Sequence, residues 1–219
     1  MKTNSKLQRD VQDELNWAPN VTAGEIVVTA KDGVITLTGN VPSYFEKHAA
    51  ERVASRVAGV MAIAEELKVN LPVLYERTDT DIADSALNAL AWNIEVPRDH
   101  AKVNVENSWV TLTGQVDWYY QKMAAENAVR HLMGVKGVTN SITLKQRDAA
   151  TAAEIKTTIE NTLQRNAISD ARKITVTVHD GKVTLQGKAH SWQEKDEARY
   201  SAWSTPGVSS VENNIVVTY

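Results

Sequence analysis

The sequence contains no cysteine, so the chain can form neither disulfides nor thiolate metal sites. Its longest nearly apolar stretch, residues 60–64, is far shorter than the ~20 residues that a transmembrane helix needs. The first ten residues carry basic side chains but no apolar segment follows them, so no signal peptide is predicted. We therefore expect a cytoplasmic protein without a transmembrane segment, or a periplasmic one if a leader has been removed.

Neither sign of charge dominates, and the formal net charge is -3. Bulk attraction to nucleic acid is therefore absent, and no basic stripe is interleaved with aromatic residues. No two of the five histidines are four residues apart on a predicted helix or in a zinc-binding pattern. Titratable side chains do not recur at a catalytic spacing, and the acidic clusters fall at predicted helix starts, where they favour the helix dipole. We expect no enzyme activity, no metal, no cofactor and no nucleic-acid partner.

An internal repeat is the strongest signal in the sequence. Residues 32–39 read Asp-Gly-Val-Ile-Thr-Leu-Thr-Gly, and closely similar segments occupy residues 107–114 and 180–187. A Gly-Val pair follows each segment at the same distance, at residues 59, 134 and 207. These markers predict three tandem modules, residues 1–70, 71–146 and 147–219.

Each module has the same succession of hydrophobic patterns. Apolar residues four apart, such as Leu7, Val11 and Leu15, indicate an amphipathic helix, and the alternation that follows indicates a strand. An Asp-Gly or Asn-Ser turn, a return strand, a second helix and a last strand complete the unit. The predicted fold is α+β, with α-β-β-α-β modules that place two helices on one face of a three-stranded mixed sheet. We interpret the glycines that close the repeated segment as turn residues, because no phosphate-loop motif surrounds them.

The aromatic residues point to the middle module. The chain has six Trp and six Tyr but one Phe, which favours interfaces over deep cores. We expect a lipid- or partner-binding surface in the middle module, formed by Leu87, Trp92, Trp109, Trp118, Tyr119 and Tyr120. Three explanations remain open for these residues: packing against the flanking modules, contact between chains, or contact with lipid or a small ligand. The short connectors between modules favour modules that touch one another.

The repeat resembles the BON domain family. The likeness rests on the Asp-Gly-Val-Ile-Thr-Leu-Thr-Gly segment, on the Gly-Val pair, and on the aromatic and charged start of the second helix, such as Tyr44-Phe45-Glu46-Lys47. The resemblance implies a non-enzymatic protein of the cell envelope and of osmotic stress, with an anionic phospholipid surface as an expected partner. The leading hypothesis is therefore a binding module, and the alternative is a homo-oligomeric scaffold or small-molecule carrier assembled through the middle module.

Overall fold

A computed structural model describes residues 2–145, 151–165 and 174–218 of the chain. The helices are α1 (Asn4–Trp17), α2 (Tyr44–Ser55), α3 (Asp79–Trp92), α4 (Tyr119–Arg130), α5 (Ala152–Arg165) and α6 (Trp192–Trp203). The strands are β1 (Ile26–Lys31), β2 (Val34–Val41), β3 (Ala62–Val69), β4 (Ala101–Glu106), β5 (Trp109–Val116), β6 (Gly137–Leu144), β7 (Ile174–His179), β8 (Lys182–Ala189) and β9 (Ser210–Val217). The predicted α-β-β-α-β order is confirmed in all three modules.

The three sheets share one topology. In the first module β2 lies in the centre, antiparallel to β1 and parallel to β3, and the other two modules repeat this arrangement. The parallel pair needs a crossover, which the second helix of each module supplies. The predicted mixed three-stranded sheet and the α+β class are therefore confirmed.

Each module has its own apolar core. The stripe of α1 packs with the inward residues of β2, so that Leu15, Ile35 and Leu37 are fully buried. The equivalent clusters of the second and third modules are built around Ile82 and Ile159. The hairpin turns adopt positive φ at both central residues, as at Asp32 and Gly33, which is the geometry that an Asp-Gly pair predicts.

The glycines predicted to be turn residues lie instead within the central strands. Gly39 is paired with Ile26 in the β1–β2 ladder, and the strand continues to Val41. Its φ is +127°, and a Cβ atom at this position would lie 1.9 Å from the carbonyl oxygen of Glu25. The sequence pattern gave no sign of this close approach, because a glycine before a helix is more often a turn residue. Gly114 has the same conformation and the same close contact with a carbonyl oxygen, that of His100.

Three aromatic side chains connect the modules. They occupy equivalent positions at the first residue of the second helix: Tyr44, Tyr119 and Trp192. Tyr44 packs against the core of the second module, and Trp192 packs against the core of the first. Tyr119 stacks on Trp203 of the third module, with ring centroids 4.8 Å apart and an interplanar angle of 7°.

The positions that these three aromatic residues contact are also equivalent. Each aromatic residue meets the C-terminal end of the next module's second helix: Tyr44 lies near Arg130, Tyr119 on Trp203, and Trp192 beside Ser55. The contacts run from module 1 to 2, from 2 to 3 and from 3 back to 1. One head-to-tail interface used three times in succession closes into a ring with approximate threefold symmetry. The expectation that the modules touch one another is confirmed.

We expect Gly39→Ala to lower the free energy of unfolding by at least ~2 kcal/mol, because alanine must adopt positive φ and its Cβ meets a backbone oxygen. Gly24→Ala is the matched control, since its Cβ would meet nothing within 4 Å. Urea denaturation followed by circular dichroism measures both variants. Equal stabilities for the two would contradict the strain assigned to Gly39.

We expect Tyr119→Ala to lower the free energy of unfolding by about 3 kcal/mol, because it removes a buried ring. A double-mutant cycle with Trp203→Ala should give a coupling energy of about 0.5–1.5 kcal/mol, the usual range for a stacked aromatic pair. The neighbouring Tyr120 is exposed, and Tyr120→Ala should change stability by less than ~0.5 kcal/mol. Zero coupling between Tyr119 and Trp203 would rule out the stack.

Candidate functional site

The six residues predicted as a binding surface do not form one cluster. Leu87, Trp92, Trp109 and Tyr120 are exposed, and Trp118 is half-buried. Tyr119 is only 6% exposed, because the third module covers it. Packing between modules therefore accounts for Tyr119, while ligand contact by the other five residues remains a prediction.

Trp109 is held by its own sheet. Its indole Nε1 donates a hydrogen bond to the Thr139 hydroxyl at 2.8 Å. The ring lies over Gly137, its partner in the parallel ladder, where an added Cβ would come within 2.3 Å of the indole. The aromatic ring thus covers a glycine on the neighbouring strand and has a structural role.

Trp118 occupies the N-cap position of α4. In the other two modules this position is a serine, and the hydroxyl of Ser43 accepts a hydrogen bond from the Glu46 backbone N–H at 3.1 Å. In the second module Gln121 accepts hydrogen bonds from the backbone N–H groups of Asp117 and Trp118, both at 3.0 Å. Gln121 therefore provides a hydrogen-bond acceptor for the backbone at the start of α4. The serine hydroxyl that caps the second helix of the other two modules is absent.

The C-terminal end of α3 forms an exposed apolar tip. Trp92 is 89% exposed, and Ile94, which the sequence reasoning missed, is 100% exposed. Residues 85–94 contain no charged side chain, which is the signal that could have revealed this tip. Leu87 lies more than a turn earlier and roughly 140° around the helix from Trp92, so it does not join the tip.

The approximate symmetry of the ring relates the ends of the first helices of the three modules. Trp17 ends α1 and Arg165 ends α5, at the positions that match Trp92. Because the three inter-module contacts are equivalent, these three helix ends occupy equivalent positions in the ring. At these equivalent positions the protein carries two exposed indoles and one exposed guanidinium group.

A groove lies between the first and second modules. It has a volume of about 640 Å³, and its lining is mainly apolar, with Phe45, Leu71, Tyr75 and Met133 among the lining residues. The connector beside it, residues 71–75, reads Leu-Pro-Val-Leu-Tyr and has no buried residue in its helical turn, Val73–Tyr75. This run of apolar residues in a connector was the sequence signal for the groove, and it was missed.

Basic groups gather at the same junction. His131 lies edge-on to Phe45, with ring centroids 5.0 Å apart. Burial lowers the pKa of His131, and the charges of Arg130, Arg52 and His48 lower it further. Arg130 is itself paired with Glu126.

In the described ranges 2–145, 151–165 and 174–218, no helix is long and apolar enough to cross a membrane. No group of three or more His, Asp or Glu side chains in those ranges is arranged to hold a metal ion.

We expect the pKa of His131 to lie below the ordinary histidine value of about 6.5. As the pH falls, the unfolded chain therefore protonates His131 at a higher pH than the folded chain does. The contribution of the neutral His131 to the free energy of unfolding is complete above about pH 6.5 and is lost as the pH falls through the lower pKa of the folded state. Arg52→Gln should raise the pKa of His131 because it removes a repelling charge, whereas Arg56→Gln serves as the control. An NMR titration of the imidazole measures this, and a pKa above the ordinary value would contradict it.

Comparison with known proteins identifies the family to which the chain belongs. The statistical description of the BON domain matches residues 3–70, 78–146 and 149–219. The Osmotically-inducible protein Y of Escherichia coli (strain K12) is 31% identical over 130 residues, which are 58% of this chain and 65% of that protein. The chain thus spans somewhat less than two thirds of that relative.

The chain also has a weak similarity to two solved structures. CdsD, a structural protein of the type III secretion system of Chlamydia trachomatis, is 12% identical, with a TM-score of 0.28 over 97% of this chain and 92% of that one. The C-terminal domain of CdsD is also 12% identical, with a TM-score of 0.26 over the full length of both chains. These scores are too low to support an argument about the fold. The three family matches, together with the module topology, show that the chain belongs to the BON domain family and contains three tandem BON domains.

Proposed function

We propose that this chain is a non-catalytic, stress-associated protein of the cell envelope that binds an anionic phospholipid surface through the tip of α3. The name of the Escherichia coli relative supports the link to osmotic stress. The observation that carries the membrane contact is the exposure of Trp92 and Ile94 at the end of an uncharged half-helix.

The chemistry of the tip suits a membrane interface. Tryptophan favours the headgroup layer, where its ring is apolar and its N–H remains hydrated. Ile94 is placed to enter the acyl region, and burying such a side chain contributes about 1.5–3 kcal/mol. A single tip of this size gives weak, reversible attachment, so a second contact is needed for stable binding.

The ring supplies that second contact. In this proposal Trp17 and Arg165, at the positions equivalent to Trp92, face the same membrane as Trp92. A guanidinium group attracts anionic headgroups. Asp13 and Glu14 stand near Trp17 at the end of α1, and their charge opposes contact with an anionic surface. The second and third modules are therefore expected to make the main contacts, with Trp92 and Ile94 as the apolar anchor.

The alternative of a homo-oligomer assembled through the middle module has less support. The aromatic residue at the start of α4 is occupied within the same chain. The groove beside the middle module favours the alternative of a small-molecule carrier instead, because its volume falls in the range of ligand pockets.

We expect the full chain to co-sediment with vesicles that contain phosphatidylglycerol, and less with phosphatidylcholine alone. Trp92→Ala and Ile94→Ser should each weaken binding about tenfold, the factor that corresponds to ~1.4 kcal/mol of lost apolar burial. Val216→Ser is the matched control for Ile94→Ser, because Val216 is an exposed apolar residue on β9 and not at a helix end. Absence of binding at low salt, or an equal loss in the control, would refute the proposal.

A further inference from the structure

We propose that the exposed face of the middle module's sheet binds an uncharged glycan chain, with the indole of Trp109 as the surface on which a sugar ring stacks. The buried residues of β5, which include Val110 and Leu112, pack with the helices on the other side of the sheet. Trp109 alternates with them and therefore lies on the open side. This site uses no residue of the α3 tip, so it does not depend on the proposed membrane contact.

The indole of Trp109 is held flat on the sheet. Its Nε1 donates a hydrogen bond to the Thr139 hydroxyl at 2.8 Å, and a Cβ added to Gly137 would lie 2.3, 2.5 and 2.6 Å from three carbons of the ring. Gly137 does not have a positive φ, so the ring and not the backbone excludes a side chain there. One face of the indole thus lies against the sheet. Trp109 remains 46% exposed, and its outer face is a fixed apolar platform.

This platform is specific to the middle module. The other modules have different pairs at the positions of Trp109 and Gly137: Val34 with Ala62, and Lys182 with Ser210. Threonine on the open face of a strand is common to all three modules and reflects the preference of threonine for strands. The tryptophan and its glycine are not explained in that way, because the same fold forms twice in this chain without them.

Hydroxyl and amide side chains continue the surface away from the platform. The register of β5 and β6 arranges them in three cross-strand pairs: Thr111 with Thr139, Thr113 with Ser141, and Gln115 with Thr143. At about 3.3 Å per residue, the face extends about 20 Å from Trp109 to Gln115. The hydrogen bonds of the described ranges leave the hydroxyl groups of Thr111, Thr113 and Ser141 without a protein partner. These groups can therefore donate to and accept from a ligand.

The charge of this face selects the partner. The outward positions of β5 and β6 carry no charged side chain, whereas Glu66 and Lys68 lie on this face in the first module. In the third module the corresponding positions include Lys182, Lys188 and Glu212. Charge complementarity thus favours a neutral partner over a polyanion, which needs a basic surface. A glycan meets both requirements, because a pyranose ring has an apolar C–H face that stacks on an indole and hydroxyl groups that point sideways.

The proposal is tested by NMR on the isotope-labelled full chain. Cellohexaose and hexa-N-acetylchitohexaose serve as neutral probes, and hexagalacturonate serves as the anionic one. We expect saturable shifts of the backbone amides of β5 and β6 and of the Trp109 indole N–H with at least one neutral probe, and weaker binding of hexagalacturonate. Absence of saturable shifts with both neutral probes would overturn the proposal. Binding of hexagalacturonate as tight as that of the neutral probes would also overturn it.

Matched variants locate the site. Trp109→Val introduces the residue of the first module and should weaken binding of the neutral probe at least about tenfold, because it removes the platform. Tyr120→Ala removes a ring of similar exposure on α4 and should leave binding unchanged. Thr113→Glu places a charge in the centre of the face and should also weaken binding at least about tenfold. Gln186→Glu makes the same change at the equivalent exposed position of the third module and should leave binding unchanged.

Circular dichroism checks that each variant is folded, and Thr113→Glu provides the test if Trp109→Val is not. Unchanged binding in Thr113→Glu, or equal losses in Thr113→Glu and Gln186→Glu, would overturn the proposal. Light scattering tests whether a second copy of the chain covers this face instead. A dimer that Thr113→Glu converts to a monomer would identify the second copy as the occupant and overturn the glycan site.

Discussion

The contact between an aromatic ring at the start of one module's second helix and the end of the next module's second helix determines the arrangement of the whole chain. Each module has a small core of its own, and a small core leaves little margin of stability. Tyr44 and Trp192 extend two of these cores by packing into the neighbouring module. Tyr119 stacks on Trp203 to make the third contact. Because the same interface is used three times, the chain closes on itself, and the modules gain burial without a partner chain.

The ring also relates surface residues at equivalent positions of the three modules. A single exposed tryptophan on a small module is unremarkable, since isolated apolar side chains are common on protein surfaces. In the ring, the ends of α1, α3 and α5 occupy equivalent positions, so Trp17, Trp92 and Arg165 are related by the symmetry of the modules. The residues at these positions differ between the modules, and this difference gives each module its own part in the proposed membrane contact.

The sequence predicted the fold well because the fold depends on local periodicity. The stripe of Leu7, Val11 and Leu15 and the Asp32-Gly33 turn are properties of neighbouring residues, and the structure confirms both. The functional surface was predicted less well, because exposure depends on contacts between modules. Tyr119 and Tyr120 are adjacent in sequence, yet only Tyr119 is buried, and no local pattern distinguishes them. Gly39 was misinterpreted for the same reason, since the carbonyl oxygen of Glu25 that excludes a side chain comes from another strand.

The three junctions differ in how the chain connects the modules that meet there. Linkers join the first module to the second and the second to the third, so each of these contacts forms at a high effective concentration. The contact of Trp192 with the first module closes the ring without a linker of its own. It uses the largest aromatic side chain, and Lys195 lies 5.2 Å from the ring centroid. The indole Nε1 of Trp192, however, is buried without a hydrogen-bond partner, at a cost of about 1–3 kcal/mol. Arg130 Nε at the first junction is likewise buried without a hydrogen-bond partner. This cost is therefore common to the two junctions, and the closing contact differs from the first in having no linker of its own.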